Sequence, residues 1–242
     1  MSKRIIKIVS ILFVGMIGGV ISSQVLLPYL LEDSFLGFDS AYLAKVSSGP
    51  VYLTEKKEIT VQENLALQDS IEKVKNSLVA VRTTLSGKTI TGSGLILTTD
   101  GLVVTLNKLI PKGGSYAFFA NGKAYNYQIL KRDEKNNLAL IKIETDNLQT
   151  IGFADLGQLK IGERVFLLGK IFSGSDRLAL VNEGIIKYFT NKYIRTNIFE
   201  ESTLAGSALF NIKGELLGLN TIDEKGKVTA IPVNIIRDFA GF

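Results

Sequence analysis

The residues with the clearest capacity for chemistry lie in one loop, Glu200–Ser207, which carries two carboxylates and three hydroxyl groups. A hydroxyl group attacks a carbonyl carbon efficiently only when a neighbouring base takes its proton, and histidine is the base that proteins use most often. The chain contains no histidine and no cysteine. Its composition therefore excludes an imidazole base, a thiol nucleophile and the commonest ligands of zinc.

Two short strands position this loop. The apolar segment Ala208–Asn211 follows it directly, a turn at Lys213–Gly214 reverses the chain, and Glu215–Thr221 forms the next strand. The rest of the chain repeats this pattern of short β-branched runs separated by hairpin signals such as Asn121-Gly122. The sequence therefore predicts an all-β body that contains little helix.

The predicted strands fall into two sets of similar size. The first set comprises Ser77–Thr83, Thr91–Thr98, Leu102–Leu106, Ser115–Ala120, Ala124–Lys131 and Leu138–Ile143. The second comprises Arg164–Gly169, Arg177–Lys187, Tyr193–Thr196, Ala208–Asn211, Glu215–Thr221 and Val228–Pro232. Asp146–Lys160 connects the sets, and Val233–Phe239 forms a short final helix. This arrangement predicts a double six-stranded β-barrel, with barrel one at about 77–145 and barrel two at about 160–232.

The N-terminal region predicts a membrane anchor. Residues 1–7 carry three positive charges, and Ile8–Leu31 is uncharged and long enough for a transmembrane helix, which needs about 20 residues. The positive-inside rule places residues 1–7 in the cytoplasm and the folded domain on the extracytoplasmic side of the cell membrane. A cleaved signal peptide is the alternative. Residues 32–64 form a tether, followed by a short helix at Glu63–Asn76.

Several motifs, in the right order and spacing, resemble the HtrA/Deg family of trypsin-like serine proteases. Gly92-Ser93-Gly94 through Thr105 resembles the hairpin before the family's catalytic histidine, and Asn137–Ile143 resembles the segment that begins with its aspartate. The loop before Leu209-Phe210-Asn211 and the strand Glu215–Thr221 resemble the nucleophile region. The resemblance covers about residues 65–240 and implies a trypsin-like domain over 65–242, without the PDZ domain that often follows.

The resemblance places Lys108 at the histidine position, Asn137 at the aspartate position and Ala205 at the serine position. An ammonium, an amide and a methyl group cannot carry out the proton transfers of a serine protease triad. Thr203 replaces a glycine of the nucleophile loop, and its β-branched side chain restricts the backbone. The resemblance therefore implies a pseudoprotease, that is, a membrane-anchored protein of protease fold that is not an enzyme.

Three alternatives to this interpretation remain open. A hydrolase could pair Lys108 with Ser202 or Ser207, which requires Lys108 to be buried within hydrogen-bond reach of a serine oxygen. Lys108 could instead bridge Asn137 to Glu200 or Glu201 and fill the former cleft. The chain could also be a purely structural membrane protein.

The expected partners are the membrane, through the N-terminal helix, and an extended peptide or a partner protein bound by strand addition. A homo-oligomer is a further possibility, because Gly15 and Gly19 have the spacing of helix-pairing residues. No cofactor and no metal are expected. No nucleic acid is expected either, since the charge of +5 forms no basic stripe with interleaved aromatic residues. The residues expected to border a peptide site are Arg195, Thr196, Asn197, Ile198, Thr203, Leu204, Gly206 and Ser207.

Overall fold

The computed structural model describes residues 2–22, 65–173 and 176–242. The chain divides into two compact units, Met1–Thr60 and Val61–Phe242. In the first unit, helix α1 spans Ser2–Ile21. No helix in the described ranges is both long and apolar enough to cross a membrane. Residues 23–31 of the predicted anchor at Ile8–Leu31 and the whole predicted tether, residues 32–64, lie outside the described residues.

The second unit begins with helix α2 at residues 65–74, which continues as a 3-10 turn at Lys75–Ser77. The hydroxyl of Ser70 donates a hydrogen bond to the carbonyl oxygen of Ile212 at 2.6 Å. Val74 is fully buried in the core. These contacts dock α2 on the barrel of the second half of the chain, where the apolar spacing predicted a helix.

A seven-stranded antiparallel sheet forms the first half of the described domain. Its strands are β1 (Leu78–Leu85), β2 (Lys88–Ile96), β3 (Leu102–Leu106), β4 (Ser115–Ala120), β5 (Lys123–Tyr125), β6 (Tyr127–Asp133) and β7 (Leu138–Ile143). The order across the sheet is β5-β4-β1-β2-β3-β7-β6. Asn121 and Gly122 both have positive φ, at 46° and 81°, which is the two-residue turn that joins hairpin strands with the correct twist.

A closed six-stranded barrel forms the second half of the described domain. Its strands are β8 (Arg164–Ser173), β9 (Asp176–Phe189), β10 (Ile194–Phe199), β11 (Ala208–Asn211), β12 (Leu216–Ile222) and β13 (Lys227–Pro232). The order around the barrel is β10-β13-β12-β11-β8-β9. Helix α3 (Val233–Ala240) follows and buries Val233, Ile236 and Phe239.

Three apolar clusters stabilise this unit. One lies inside the sheet and includes Val79 and Val81, and one lies inside the barrel and includes Leu167 and Leu209. The third joins the sheet to the barrel through residues of both, including Leu95, Leu106, Phe166 and Phe210. The rings of Phe166 and Phe210 stack with their centroids 5.3 Å apart. Each fully buried side chain of this size stabilises the fold by about 1.5–3 kcal/mol, so the two halves form one packed body.

The all-β prediction is confirmed, but the prediction of two closed six-stranded barrels needs correction. The strand predicted at Ala124–Lys131 is interrupted at Asn126, and the first half is therefore a seven-stranded half-barrel with β5 and β6 at its edges. In the barrel, β8 continues beyond its predicted end to Ser173. β9 begins at Asp176, one residue earlier than predicted, and continues to Phe189. Hydrophobic alternation predicted the strands, but it carries no signal for where an edge strand breaks or a hairpin continues into solvent.

Candidate functional site

The 3-10 turn Asn107–Leu109 carries Lys108 at the end of β3. Asn137, at the start of β7, accepts a hydrogen bond at its Oδ1 from the backbone N–H of Lys108 at 3.0 Å. Asn137 has a φ of 56°, a left-handed conformation that asparagine tolerates better than most residues. Arg132 donates from Nη1 to Asn107 Oδ1 at 2.8 Å and so fixes the other end of the turn. The structure thus brings Lys108 and Asn137 together, but the contact uses the backbone N–H of Lys108 and not its side chain.

The loop Glu200–Ser207 docks on β2 through Ala205. The carbonyl oxygen of Ala205 accepts a hydrogen bond from the backbone N–H of Ser93 at 2.9 Å. Gly206 donates its N–H to the carbonyl oxygen of Asn220 at 2.8 Å. The side chain of Leu109 reaches the same place, because a Cβ atom added at Gly206 would lie 2.9 Å from Leu109 Cδ1. The three positions that the resemblance assigned to a triad therefore lie in neighbouring segments.

Ser93 joins three parts of the fold at this site. Its hydroxyl accepts a hydrogen bond from the N–H of Lys170 at 2.9 Å and donates to the carbonyl oxygen of the same residue at 3.0 Å. Its carbonyl oxygen accepts from the hydroxyl of Thr105 at 2.7 Å. Ser93 is fully buried, so it links β2, β3, β8 and the loop without contact with water. Burial of the Lys170 side chain lowers the pKa of its ammonium group below the ordinary lysine value.

The backbone of the loop closes on itself in a 3-10 turn at Ser202–Leu204. The N–H of Leu204 donates to the carbonyl oxygen of Glu201, and the N–H of Ala205 donates to that of Ser202, both at 3.0 Å. An oxyanion hole needs free donors directed at the developing charge. In this conformation these two donors are already satisfied, and the turn would have to open before they could stabilise an anion.

The two serines of the loop differ in exposure. Ser202 is exposed, whereas Ser207 is fully buried and its Oγ accepts a hydrogen bond from Asn220 Nδ2 at 3.1 Å. The Lys108 side chain is exposed, and in the described part of the chain no hydrogen bond joins it to a serine and no ion pair joins it to Glu200 or Glu201. The dyad and the bridge that the sequence left open therefore have no support from these contacts.

The carboxylates beside the loop are held by neighbours of their own. Glu200 accepts a hydrogen bond from Asn182 Nδ2 at 2.6 Å. Asp223 accepts at Oδ1 from the N–H groups of Lys227 and Lys225, at 2.9 and 3.0 Å, and these bonds lower the pKa of its carboxyl group. No group of three or more acidic residues in the described ranges is arranged to hold a metal ion. Asp223 therefore stabilises its own turn, and Glu200 connects the loop to β9.

An open strand edge lies next to the loop, at the end of β12. β12 pairs with β13 as far as Ile222, but its pairing with β11 ends at Leu219. Asn220 still bonds Gly206 and Ser207 on that side. The direction of the backbone groups alternates along a strand. The N–H and C=O of Ile222 therefore point to the same side as those of Asn220, and no described residue bonds them. The loop that precedes β11 does not run beside Ile222, because it forms the 3-10 turn at Ser202–Leu204.

The residues predicted to border a peptide site differ in exposure. Thr196, Ile198, Leu204 and Ser207 are at most 3% exposed and belong to the barrel interior, and Gly206 is also buried. Arg195 and Thr203 are half-buried, and Asn197 is exposed. β10 is paired with β9 and β13 at Ile194 and Arg195, so the segment Arg195–Ile198 does not present a free edge there. Their role in binding stays a prediction.

Comparison with known proteins connects this site to a family. Residues 92–219, more than half of the chain, match the family described as "Trypsin-like peptidase domain". The chain belongs to the trypsin-like peptidase family. The match begins at Gly92 in β2 and ends at Leu219 in β12, so it contains Lys108, Asn137 and the whole loop Glu200–Ser207.

Relatives of this trypsin-like chain include three proteins with informative names. A protein of Halomonas elongata, "Probable periplasmic serine endoprotease DegP-like", is 26% identical over 131 residues, 50% of this chain and 28% of that protein. "Probable serine protease do-like" of Buchnera aphidicola is 28% identical over 133 residues, 49% of this chain and 28% of its own. "Periplasmic serine endoprotease DegP" of Escherichia coli K12 is 28% identical over 132 residues, with the same two shares.

The match thus spans 28% of the length of each of these relatives. Their names agree with the resemblance to the HtrA/Deg family that the motifs predicted. The same names contradict the prediction that the chain is not an enzyme, because each relative is called a serine protease or endoprotease. The prediction rested on Lys108, Asn137, Ala205 and the altered loop around Thr203, and the names of the relatives overturn it.

Proposed function

We propose that this trypsin-like domain binds extended polypeptide segments along the open edge of β12. The observation that carries the proposal is the unpaired backbone of Ile222, where β12 continues past the end of β11. An extended segment that adds as a strand satisfies such groups with its own main chain, and it can therefore vary in sequence. The half-buried Thr203 and the exposed Ser202 lie in the neighbouring loop, where they border the bound segment.

The names of the relatives support a second part of the proposal, namely that the bound polypeptide is cleaved. Ala205 has no hydroxyl, so an attacking oxygen must come from elsewhere in the loop. Ser202 is the candidate because it is exposed, whereas Ser207 is buried and bonded to Asn220. No described side chain accepts a hydrogen bond from Ser202, so cleavage on this proposal requires the 3-10 turn to open when a polypeptide binds.

Binding is tested with fluorescent peptides whose backbone is N-methylated at alternate residues. Two versions of one peptide carry the methyl groups on opposite alternate sets, so each removes the N–H groups of one strand edge only. We expect one version to lose binding at least tenfold and the other to bind like the unmethylated peptide, as measured by fluorescence anisotropy. Equal binding of both versions would exclude strand addition at β12.

Cleavage is tested with an unstructured protein substrate and a fluorophosphonate probe that labels reactive serines. On this proposal, wild-type protein is labelled, Ser202→Ala is not, and Ser207→Ala keeps its label as the matched loop control. Labelling lost only in Ser207→Ala would move the nucleophile to the buried position. A wild-type protein that neither cleaves nor takes the label would refute this part and leave polypeptide binding to stand by itself.

The location of the domain is a further part of the proposal. Two of the relatives are named periplasmic, and the positive charges of residues 1–7 favour a cytoplasmic N-terminus. We expect the trypsin-like domain to lie outside the cytoplasm and to remain with the membrane fraction after alkaline extraction. Protease added to intact spheroplasts should then degrade it, and full protection of the domain would contradict the assignment.

A further inference from the structure

Three turns at one end of the barrel each present a lysine beside a large apolar side chain. The turns lie directly before β8, between β9 and β10, and between β11 and β12. The pairs in chain order are Lys160 with Ile161, Lys192 with Tyr193, and Lys213 with Ile212. All six residues are exposed, and Ile161 reaches 70%. The same combination of a cation and an apolar group therefore recurs in three separate segments.

Contacts between the turns show that the three pairs form one surface, which we call the lysine rim. The first and third turns line the same open cleft of about 660 Å³. The N–H of Gly162 in the first turn donates to the carbonyl oxygen of Ile186 at 2.8 Å, two residues before Tyr188 on β9. Tyr188 contacts Tyr193 of the second turn, with ring centroids 6.0 Å apart. The three turns are therefore neighbours.

The lysine rim lies at the opposite end of the barrel from the loop Glu200–Ser207. β10 begins beside the second turn and ends at Phe199, next to the loop. β11 runs in the other direction, from the loop to Asn211 in the third turn. β12 begins after that turn and ends at the open edge of Ile222 on the side of the loop. A partner bound at the rim therefore leaves the loop and the open edge accessible.

The chain also enters this domain at the lysine rim. Helix α2 starts at Leu65, whose side chain is 52% exposed. The hydroxyl of Ser70 in α2 bonds the carbonyl oxygen of Ile212 in the third turn at 2.6 Å. Leu67 and Ile212 line the same small cavity between the helix and the barrel. The residues that precede α2 therefore join the domain at this end.

The charges of the lysine rim differ in whether the protein already binds them. In the described ranges no ion pair or hydrogen bond involves the ammonium groups of Lys160, Lys192 or Lys213. The carboxylates at this end each accept a hydrogen bond from a neighbouring group, at 2.8 to 3.2 Å, and they are Asp155, Glu163 and Glu215. Glu163 and Glu215 are also half-buried. A ligand that meets the tips of the three turns therefore meets positive charge that has no partner of its own in these ranges.

We propose that the lysine rim rests on an anionic phospholipid surface. Lysines near such a surface attract its phosphate groups, while isoleucine and tyrosine side chains enter the boundary between headgroups and acyl chains. Lysine is depleted in protein interfaces, and the isoleucines of the rim cannot stack on the bases of a nucleic acid. The membrane is also the partner predicted for the N-terminal region, which joins the domain here. In this orientation the loop Glu200–Ser207 faces away from the bilayer.

The absence of cysteine allows a fluorophore to be placed at single sites of the full-length chain. Asn191→Cys lies in the second turn and Glu224→Cys at the opposite end of the barrel, and both sites are exposed. Vesicles of phosphatidylglycerol and phosphatidylcholine carry a spin-labelled lipid that quenches fluorophores near the headgroups. We expect quenching at position 191 and not at position 224, even where α1 holds both variants on the vesicle. Equal quenching at the two positions, or none at position 191, would overturn the proposal.

Removal of the rim charges gives an independent measurement in the Asn191→Cys background. The rim variant combines Lys160→Gln, Lys192→Gln and Lys213→Gln, and its matched control combines the exposed sites Lys88→Gln, Lys123→Gln and Lys225→Gln. Each lysine strengthens binding to an anionic surface about fivefold, so the rim variant should bind on the order of 100-fold more weakly and lose its quenching. The control should keep it. An equal effect of the two sets, or a fluorescence change caused by single-stranded RNA and not by vesicles, would refute the assignment to lipid.

Discussion

Replacement of Gly206 by alanine tests whether the loop Glu200–Ser207 packs against Ser93 of β2. Gly206 has a φ of +78°, and a Cβ atom there would overlap the carbonyl oxygen of Ser93 and lie 2.9 Å from Leu109 Cδ1. Gly87, in the turn between β1 and β2, has the same φ of +78°, but a Cβ atom there meets nothing within 4 Å. The pair of variants therefore separates backbone strain from the clash.

The magnitudes follow from these contacts. An L-residue in the left-handed region costs about 1–2 kcal/mol, and this cost applies to both variants. Gly206→Ala adds about 1–3 kcal/mol for overpacking. If the loop moves away, the hydrogen bond from Ser93 N–H to Ala205 O is lost as well, at about 0.5–1.5 kcal/mol. We expect Gly206→Ala to lower the free energy of unfolding by at least about 2 kcal/mol more than Gly87→Ala.

Urea denaturation followed by tyrosine fluorescence measures both variants, since the chain has eight tyrosines and no tryptophan. With a denaturant slope of about 2 kcal/mol/M, the expected difference separates the two midpoints by about 1 M. Midpoints that coincide within error would show that the loop does not rest against Ser93. A large shift in Gly87→Ala alone would show that backbone strain, and not the clash, controls stability.

Three further substitutions have predicted outcomes. Ser93→Ala leaves the N–H and C=O of Lys170 unpaired in the core and should cost about 1–3 kcal/mol in urea denaturation, whereas a cost near zero would contradict the role of Ser93 as a link. Asn137→Ala should be less stable than Asn137→Gly by about 1 kcal/mol, because both lose the bond to Lys108 N–H but only alanine resists the positive φ. Lys170→Met should raise stability at pH 7. Burial lowers the folded-state pKa of Lys170, so wild-type stability should increase with pH from that lowered value up to the ordinary lysine pKa of about 10.4, and Lys170→Met should lack this increase.

The sequence predicted those features of the fold that local pattern determines. Strands β3, β4, β7 and β11 have the bounds expected from alternating apolar residues, and Asn121-Gly122 forms the expected turn. These predictions succeeded because strand periodicity and turn chemistry depend on residues close in the chain.

The features that the sequence did not predict depend on contacts between distant segments. The open edge at Ile222 exists because the pairing of β12 with β11 stops at Leu219, whereas its pairing with β13 continues to Ile222, and neither strand's own sequence specifies that difference. The link through Ser93 requires β8 to approach β2, although Ser93 and Lys170 are 77 positions apart in the chain. A small hydroxyl between two glycines is a weak signal, which a search for buried polar residues next to glycine could have identified.

Leu204 explains why the loop adopts its closed turn. Its side chain is 2% exposed and packs in the barrel interior, close enough to Gly169 that a Cβ atom there would lie 2.6 Å from Leu204 Cδ2. Burial of a leucine side chain contributes about 1.5–3 kcal/mol, more than the two hydrogen bonds of the 3-10 turn are expected to contribute separately. Leu204 therefore holds the turn closed, and the donors of Leu204 and Ala205 stay satisfied while it remains inside. A polypeptide that binds at β12 can open the turn only if its contacts exceed this burial energy, which ties any cleavage at this site to tight binding.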